Sequence, residues 1–305
     1  MRERIIFLIE EREENFYQEI ILVMKAVRPS KRFITKHMFN YIDVHSHLYF
    51  PDYDQDREEE IQKMRDAKIA TITVGVDFDS SQKSVELAEK YPNIFACVGE
   101  HPDHVAVGQV FNERLIDLAK HPRVVAIGEC GLDYFRLDPA TAEESKAAQK
   151  KVFESHIDLA LQTGKPLMLH VRPKDKVAFD AYRDTLDILE SVAVKEGEKL
   201  RGNAHFFIGD MDVLKRFLAI GFTVSFGGVL TFTHEYDEYV KYAPLTSILS
   251  ETDAPFVAPV PYRGTRNSPL YVPDIIRAIT RIRGEGEEIV QTTLRANAMH
   301  QFKLM

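Results

Sequence analysis

The hydrophobic and polar positions of this chain follow one repeated pattern from Phe39 onwards. Short apolar runs, typical of buried strands, alternate with stretches in which apolar residues recur at helical spacing. Strands that alternate with helices favour a parallel sheet, and eight such units in roughly 250 residues favour a closed barrel. We therefore predict an α/β fold, a (β/α)8 barrel. The predicted strands span residues 41–47, 70–76, 94–99, 124–129, 166–171, 202–207, 222–226 and 247–251.

The first 38 residues follow a different pattern. Apolar residues between Glu13 and Val27 recur at helical spacing, and a break follows at Pro29. We interpret residues 1–38 as a helical N-terminal extension, either an accessory arm or the product of an upstream translation start. Residues 39–305 form the predicted barrel domain.

Composition limits the classes of partner and the compartment. A net charge of -8 in 305 residues argues against a broadly basic surface that coats nucleic acid, but it leaves a local basic site open. Cys97 and Cys130 are too few for a disulfide framework, and no apolar run is long enough to span a bilayer. We expect a cytoplasmic protein that does not bind membranes, and nothing in the sequence indicates an obligate protein partner.

Six residues with metal-binding side chains end predicted strands. Barrel enzymes place their active sites at the carboxyl ends of the strands, so these side chains are expected to converge. A single histidine or carboxylate at a strand end is ordinary, but packing alone does not explain the joint placement. The six residues are His45, His47, Glu129, His170, His205 and Asp253.

The chemistry of this set predicts a centre of two divalent ions, Mg²⁺, Mn²⁺ or Zn²⁺. His45 and His47 are two residues apart, so in a strand both rings point to the same face. Glu129 has two carboxylate oxygens and is the predicted bridge between the ions. Asp253 is the predicted general base that accepts a proton from the attacking water. Glu129 and Asp253 are therefore the predicted catalytic residues.

Other polar and aromatic residues near these strand ends are candidate substrate contacts. Guanidinium groups match phosphate oxygens, and an aromatic ring can stack on a base. The alternative is that these side chains pin the long loops or pack beneath them. His101 and His104 are also candidates for the mouth of the barrel. The predicted substrate-binding residues are Arg263, Arg266, Asn267, Arg172 and Tyr134.

These segments resemble the TatD family of metal-dependent hydrolases, in the same order from Phe39 to the end of the chain. The resemblance implies a TIM barrel of the amidohydrolase type and a divalent-metal-dependent deoxyribonuclease, often a 3′-to-5′ exonuclease on single strands. The metal positions of the family fall on the same six residues. The matching segments are DVHSHL (43–48), IGECGLDYFR (127–136), LHVR (169–172), GFTVSFGG (221–228), ETDAP (251–255) and PYRGTRN (261–267).

Three functions remain open from the sequence. The first is a nuclease that acts on single-stranded DNA or on 3′ ends of DNA. The second is a hydrolase that cleaves an ester, a lactone or an aminoacyl-tRNA bond at the same centre. The third is a scaffold that has kept the fold without catalysis, which the intact set of ligands disfavours. Arginines that grip phosphate favour the first function, and a closed apolar pocket would favour the second.

Overall fold

The computed structural model describes residues 38–175 and 179–304. The predicted helical extension of residues 1–38 lies outside this part of the chain, except for Met38. From Phe39 onwards the chain forms one compact unit.

Eight parallel strands form one sheet in the order in which they occur along the chain, and this arrangement confirms the predicted barrel. Each strand is buried on both sides, which explains why the strands read as nearly continuous apolar runs rather than as alternating ones. The strands are β1 (Tyr41–Ser46), β2 (Ile69–Val74), β3 (Ile94–Val98), β4 (Val124–Asp133), β5 (Leu167–Arg172), β6 (Gly202–Ala204), β7 (Thr223–Phe226) and β8 (Ile248–Ser250).

The first and last strands meet at the end where the predicted ligands lie. A parallel bridge joins Ser46 to Ala254, and the Asp253 amide donates to the His45 carbonyl oxygen at 2.9 Å. The sheet therefore curls back on itself, and the segment after β8 is fixed against the end of β1.

The helices that cover the barrel lie in the connections between strands and in the segment that follows β8. Caps define several of their ends: Asp77 and Ser80 form a capping box at the start of the helix Phe78–Lys90, and Gly164 ends the helix Ala142–Thr163 with a φ of 64°. The helices are α1 (Arg57–Asp66), α2 (Phe78–Lys90), α3 (Arg114–Ala119), α4 (Ala142–Thr163), α5 (Asp180–Glu196), α6 (Met211–Ala219), α7 (Asp237–Tyr242), α8 (Val272–Arg283) and α9 (Glu287–Phe302).

The apolar core has two main parts. The larger cluster joins the outer faces of the strands to the surrounding helices. A second cluster joins Ile42, Ile72 and Leu249 of the strands to Ala298 and Phe302 of α9. Among the residues that the structure describes, no helix combines the length and the apolar character needed to cross a membrane.

Candidate metal centre

The six side chains predicted as metal ligands lie together at the carboxyl end of the barrel. Three belong to strands, and three lie in the residues that directly follow a strand, where the backbone is held by its neighbours. The strands supply His45 (β1), Glu129 (β4) and His170 (β5), and the following segments supply His47 (after β1), His205 (after β6) and Asp253 (after β8).

The first half of the centre consists of His45, His47 and Asp253 around one oxygen of Glu129. The Nε2 atoms of His45 and His47 are 3.3 Å apart, and they lie 3.4 and 3.8 Å from Glu129 Oε2. Asp253 Oδ1 lies 3.8 Å from His45 Nε2 and 3.5 Å from His47 Nε2. Ligand atoms about 2.1 Å from a tetrahedral ion lie roughly 3.4 Å from one another, so these spacings fit a metal ion.

The second half consists of His170 and His205 around the other oxygen of Glu129. His170 Nδ1 and His205 Nε2 lie 2.9 and 3.0 Å from Glu129 Oε1. These are hydrogen-bonding distances, so both rings hydrogen-bond to the carboxylate that they would share with a metal ion. Each oxygen of Glu129 thus faces a different set of histidines, which is the geometry that a bridging carboxylate requires.

The proton on His47 can be assigned from its surroundings, and it supports a role in metal binding. His47 Nδ1 lies 2.8 Å from the carbonyl oxygen of Val74, which only accepts hydrogen bonds. Nδ1 therefore carries a proton, and once Nε2 gives up its own proton its lone pair is free for a cation beside the carboxylates of Glu129 and Asp253. A cation between these atoms would satisfy all three groups.

Two further carboxylates, which the pattern of strand ends did not reveal, lie behind the histidines of the second half. Asp133 Oδ2 lies 3.0 Å from His170 Nε2, and Glu251 Oε1 lies 3.4 Å from His205 Nδ1. Carboxylates that contact the outer nitrogen of a metal-binding histidine fix the orientation of the ring. Only their positions close to candidate ligands could have indicated them. Asp133 follows Glu129 by four residues in β4, and Glu251 precedes Asp253 by two.

Asp43 fixes the backbone that carries Asp253. It is fully buried and accepts hydrogen bonds from the Thr252 amide (2.8 Å), the Thr252 hydroxyl (2.7 Å) and the Thr71 hydroxyl (3.1 Å). Burial raises the pKa of Asp43 to about 8, against the opposing effect of these hydrogen bonds. Asp253 itself has a φ of 54°, a left-handed conformation that such surroundings must hold in place.

The electrostatics keep the central carboxylates ionised. Burial alone would raise the pKa of Glu129, but the neighbouring His45 and His205 outweigh it and hold the pKa well below its usual value. The pKa of Asp253 is also lowered, because the hydrogen bond with His47 and the charges of His45 and His205 outweigh burial. Both side chains are therefore available as anionic ligands at neutral pH.

His101 also reaches the centre, whereas His104 lies farther out. His101 Nε2 is 3.6 Å from Glu129 Oε1, and its ring centroid is 4.2 Å from that of His170. Burial, followed by the charge of His170, lowers the pKa of His101 to about 3. His104 is exposed, with its ring centroid 5.7 Å from that of His101.

The two arginines after β8 have protein partners. The Nη atoms of Arg266 donate to both carboxylate oxygens of Asp56 at 2.7 Å, and its guanidinium lies 4.3 Å from the ring centroid of Tyr53. Arg263 donates to the Ala258 carbonyl oxygen at 3.1 Å and lies 4.0 Å from the ring centroid of Phe232. The contacts of Arg266 are those expected of a residue that pins the loop.

Asn267 and Tyr134 are buried, so the structure gives them packing contacts rather than a surface for substrate. Asn267 Nδ2 donates to the carbonyl oxygens of Thr252 (2.7 Å) and Phe256 (2.6 Å). The Tyr134 hydroxyl donates to Asp184 at 2.8 Å, and the residue is only 1% exposed. Neither side chain can stack on a base or grip a phosphate without displacing these partners.

Arg172 is the remaining predicted substrate contact, and it stays accessible. It ends β5, is half-buried, and lies 3.8 Å from the ring centroid of the exposed Phe135. Its guanidinium group therefore supplies a positive charge at this side of the mouth.

Comparisons with known proteins identify the family of the chain. Residues 42–303 match the family model described as TatD related DNase. The chain belongs to the TatD family. It is 34% identical over 267 residues to the uncharacterized metal-dependent hydrolase YabD of Bacillus subtilis, which covers 86% of this chain and 98% of that protein. It is 32% identical to the uncharacterized metal-dependent hydrolase YcfH of Escherichia coli, over 83% of this chain and 92% of that protein.

Solved structures support the fold of this TatD protein. The TatD homologue YJJV of Escherichia coli has a TM-score of 0.75 and 22% identity, over 88% of this chain and 100% of that one. A TatD family hydrolase from Entamoeba histolytica has a TM-score of 0.73 and 18% identity, over 88% and 99%. At 22% and 18% identity, the similarity to these two structures shows the fold alone. The family match and the curated relatives make this chain a TatD-type metal-dependent hydrolase.

Proposed function

We propose that this TatD protein is a deoxyribonuclease that removes nucleotides from the 3′ ends of DNA, with single strands as the preferred substrate. The observation that carries the proposal is the placement of Glu129, whose two oxygens face two different sets of ligands. Two divalent ions, Mg²⁺, Mn²⁺ or Zn²⁺, fit this arrangement. The reaction is hydrolysis of a phosphodiester, which is an ester bond.

The proposed mechanism assigns a separate task to each group of side chains. When bound, two ions would stabilise charge on the phosphoryl oxygens and lower the pKa of water at the centre. Glu129 stays ionised and holds the two halves of the centre together. Asp253, whose side chain is 16% exposed, orients the attacking water and accepts its proton.

Positively charged side chains of the protein near the centre support phosphate as the reacting group. Arg172 lies on the β5 side of the mouth, and Arg263 lies in the loop that follows β8. Because the chain as a whole is acidic, these local charges suit a grip on a strand end better than the wrapping of a duplex. The family description, TatD related DNase, points to the same substrate class.

One observation keeps a carbonyl ester as a second candidate. Arg266 is engaged with Asp56 and is not free to grip phosphate. A centre with fewer phosphate contacts would also serve a lactone, another ester or an aminoacyl-tRNA bond, because the same ions and the same base serve either reaction.

A nuclease assay distinguishes these candidates. Metal-stripped protein would be given Mg²⁺, Mn²⁺ or Zn²⁺ singly and incubated with single-stranded DNA labelled at either the 3′ or the 5′ end, with Asp253→Asn as the control. Immediate release of the 3′ label, with progressive shortening of the 5′-labelled strand, supports the proposal. No cleavage with any metal, together with hydrolysis of a lactone or an aminoacyl ester, would overturn it.

The proposed location is the cytoplasm. Cys97 and Cys130 are both free and buried, as expected for a protein located in a reducing compartment.

A further inference from the structure

An exposed aromatic ring lies beside the first half of the metal centre, and the proposed mechanism does not use it. Phe256 follows the candidate base Asp253 by three residues and is 47% exposed. Its ring centroid lies 6.2 Å from that of His47 and 5.7 Å from that of Phe50, which in turn stacks on His47 at 5.0 Å. A wall of rings therefore extends from a metal ligand to solvent.

The backbone that carries Phe256 is fixed. The Phe256 amide donates to the Asp253 carbonyl oxygen at 2.8 Å, and the Phe256 carbonyl oxygen accepts from the buried Asn267 side chain at 2.6 Å. The same Asn267 amide group also holds the Thr252 carbonyl oxygen. The backbone that carries this ring is thus fixed relative to Asp253 by direct hydrogen bonds, which lowers the cost of ordering the segment when a ligand binds.

Phe256 differs from the other exposed phenylalanines of the mouth in what covers it. Phe135 has the Arg172 guanidinium at 3.8 Å from its centroid, and Phe232 has that of Arg263 at 4.0 Å. For Phe256 the ring contacts are both edge-to-face, with His47 and Phe50. These contacts leave ring surface that a planar group can cover.

We propose that Phe256 forms a stacking subsite for the terminal nucleobase of a single-stranded nucleic acid whose phosphate lies at the metal centre. The inference rests on the proposed nuclease function and deepens it. Stacking suits every base because each has a π-face, so this subsite would give affinity for a strand end without sequence preference. Arg172 and Arg263 supply positive charge around the same mouth, complementary to the phosphates.

The test compares DNA that ends in a 3′ base with DNA that ends in an abasic tetrahydrofuran residue. The value of kcat/KM would be measured for both substrates with the wild type and with Phe256→Leu, Phe256→Trp and Tyr242→Leu. Tyr242 is the matched control because it is 50% exposed but lies at the end of helix α7. A chemical double-mutant cycle of this kind isolates the contact between base and ring.

The wild type is expected to prefer the base-ended strand by roughly tenfold, and Phe256→Leu to reduce that preference to about twofold or less. Phe256→Trp restores the preference, and Tyr242→Leu leaves it unchanged. As a binding readout, 2-aminopurine at the 3′ end of a strand with a non-hydrolysable phosphorothioate linkage would lose fluorescence on the wild type but not on Phe256→Leu.

The outcomes separate this inference from the function on which it rests. Normal release of 3′ nucleotides with an unchanged base preference in Phe256→Leu overturns the stacking subsite and leaves the nuclease proposal standing. If the wild type cleaves no DNA with any metal, the proposed function itself fails, and the subsite for a nucleobase falls with it.

Discussion

The carboxylate of Glu251 lies 3.4 Å from Nδ1 of His205, while Nε2 of the same ring lies 3.0 Å from Glu129. Glu251 is fully buried and is itself held by the Phe206 amide at 2.6 Å and the Ser225 hydroxyl at 2.5 Å. Burial alone would lower the pKa of His205, but Glu251 and Glu129 outweigh it and raise the pKa well above its usual value. Glu251 therefore holds the His205 ring towards the candidate centre without being one of the six candidate ligands.

Glu251→Gln should weaken metal binding rather than abolish the chemistry. Loss of such an outer partner typically costs 10- to 100-fold in metal affinity, so we expect a Kd raised by roughly that factor and a kcat at saturating metal within about threefold of the wild type. Calorimetric titration of the stripped protein measures the affinity. Glu285→Gln, at a partly exposed position paired with Arg283, is the control. An unchanged Kd would show that Glu251 has only a structural role.

Asp253→Asn should remove turnover and leave the fold intact. The side chain keeps its size, but the amide cannot accept the proton of the attacking water, so we expect kcat to fall by a factor of about 10²–10⁴. Circular dichroism and thermal unfolding would show a Tm within a few degrees of the wild type. Full activity under metal-limited conditions would contradict the proposed mechanism, and the same holds for Glu129→Ala.

Protonation of the buried His156 should lower the free energy of unfolding in mild acid. It is fully buried, its Nδ1 donates to the Val152 carbonyl oxygen and its Nε2 accepts from the Glu100 amide. Burial lowers the pKa of His156 to about 4, against 6.5 for the free side chain. Between these values the unfolded chain binds more protons than the folded one, so stability rises with pH across this window and is lost as the pH falls.

Urea unfolding of the wild type and His156→Gln at several pH values between 4 and 7 checks this expectation. As the pH falls from 7 to 4, the free energy of unfolding should decrease by up to roughly 3 kcal/mol more in the wild type than in the variant. A difference of one pKa unit corresponds to about 1.4 kcal/mol. Identical pH dependence in the two proteins would show that His156 is not the group responsible.

Arg266 should act through Asp56 rather than through the substrate. If the pair pins the loop after β8, Arg266→Ala and Asp56→Ala should reduce kcat/KM by similar factors, and the double variant should be no worse than either single variant. The salt dependence of DNA cleavage should stay unchanged. If DNA cleavage by Arg266→Ala depended less on salt concentration than cleavage by the wild type and by Asp56→Ala, Arg266 would instead contact phosphate directly.

The fold and the set of candidate ligands followed from one feature of the sequence, polar metal-binding residues at the ends of apolar runs. That feature works because strand ends of a parallel barrel all meet at one face. It does not reveal partners from distant elements, so the contacts of Arg266 with Asp56, Tyr134 with Asp184 and Asn267 with Phe256 could not be read from spacing.

The sequence pattern also did not predict where individual strands end. The prediction ended the fourth strand at Glu129, but β4 continues to Asp133 because its pairing with β5 extends to Arg172. That extension brings Asp133 onto His170. Conversely, β6 ends at Ala204, so His205 lies just beyond the strand rather than within it.

Anomalous diffraction from crystals soaked in Mn²⁺ or Zn²⁺ tests most directly whether Glu129 bridges two metal ions, as we propose. We expect two peaks about 4 Å apart, each roughly 2.0–2.2 Å from a different oxygen of Glu129, with His45, His47 and Asp253 around one peak and His170 and His205 around the other. A single peak at saturating metal, or two peaks of which only one contacts Glu129, would contradict it.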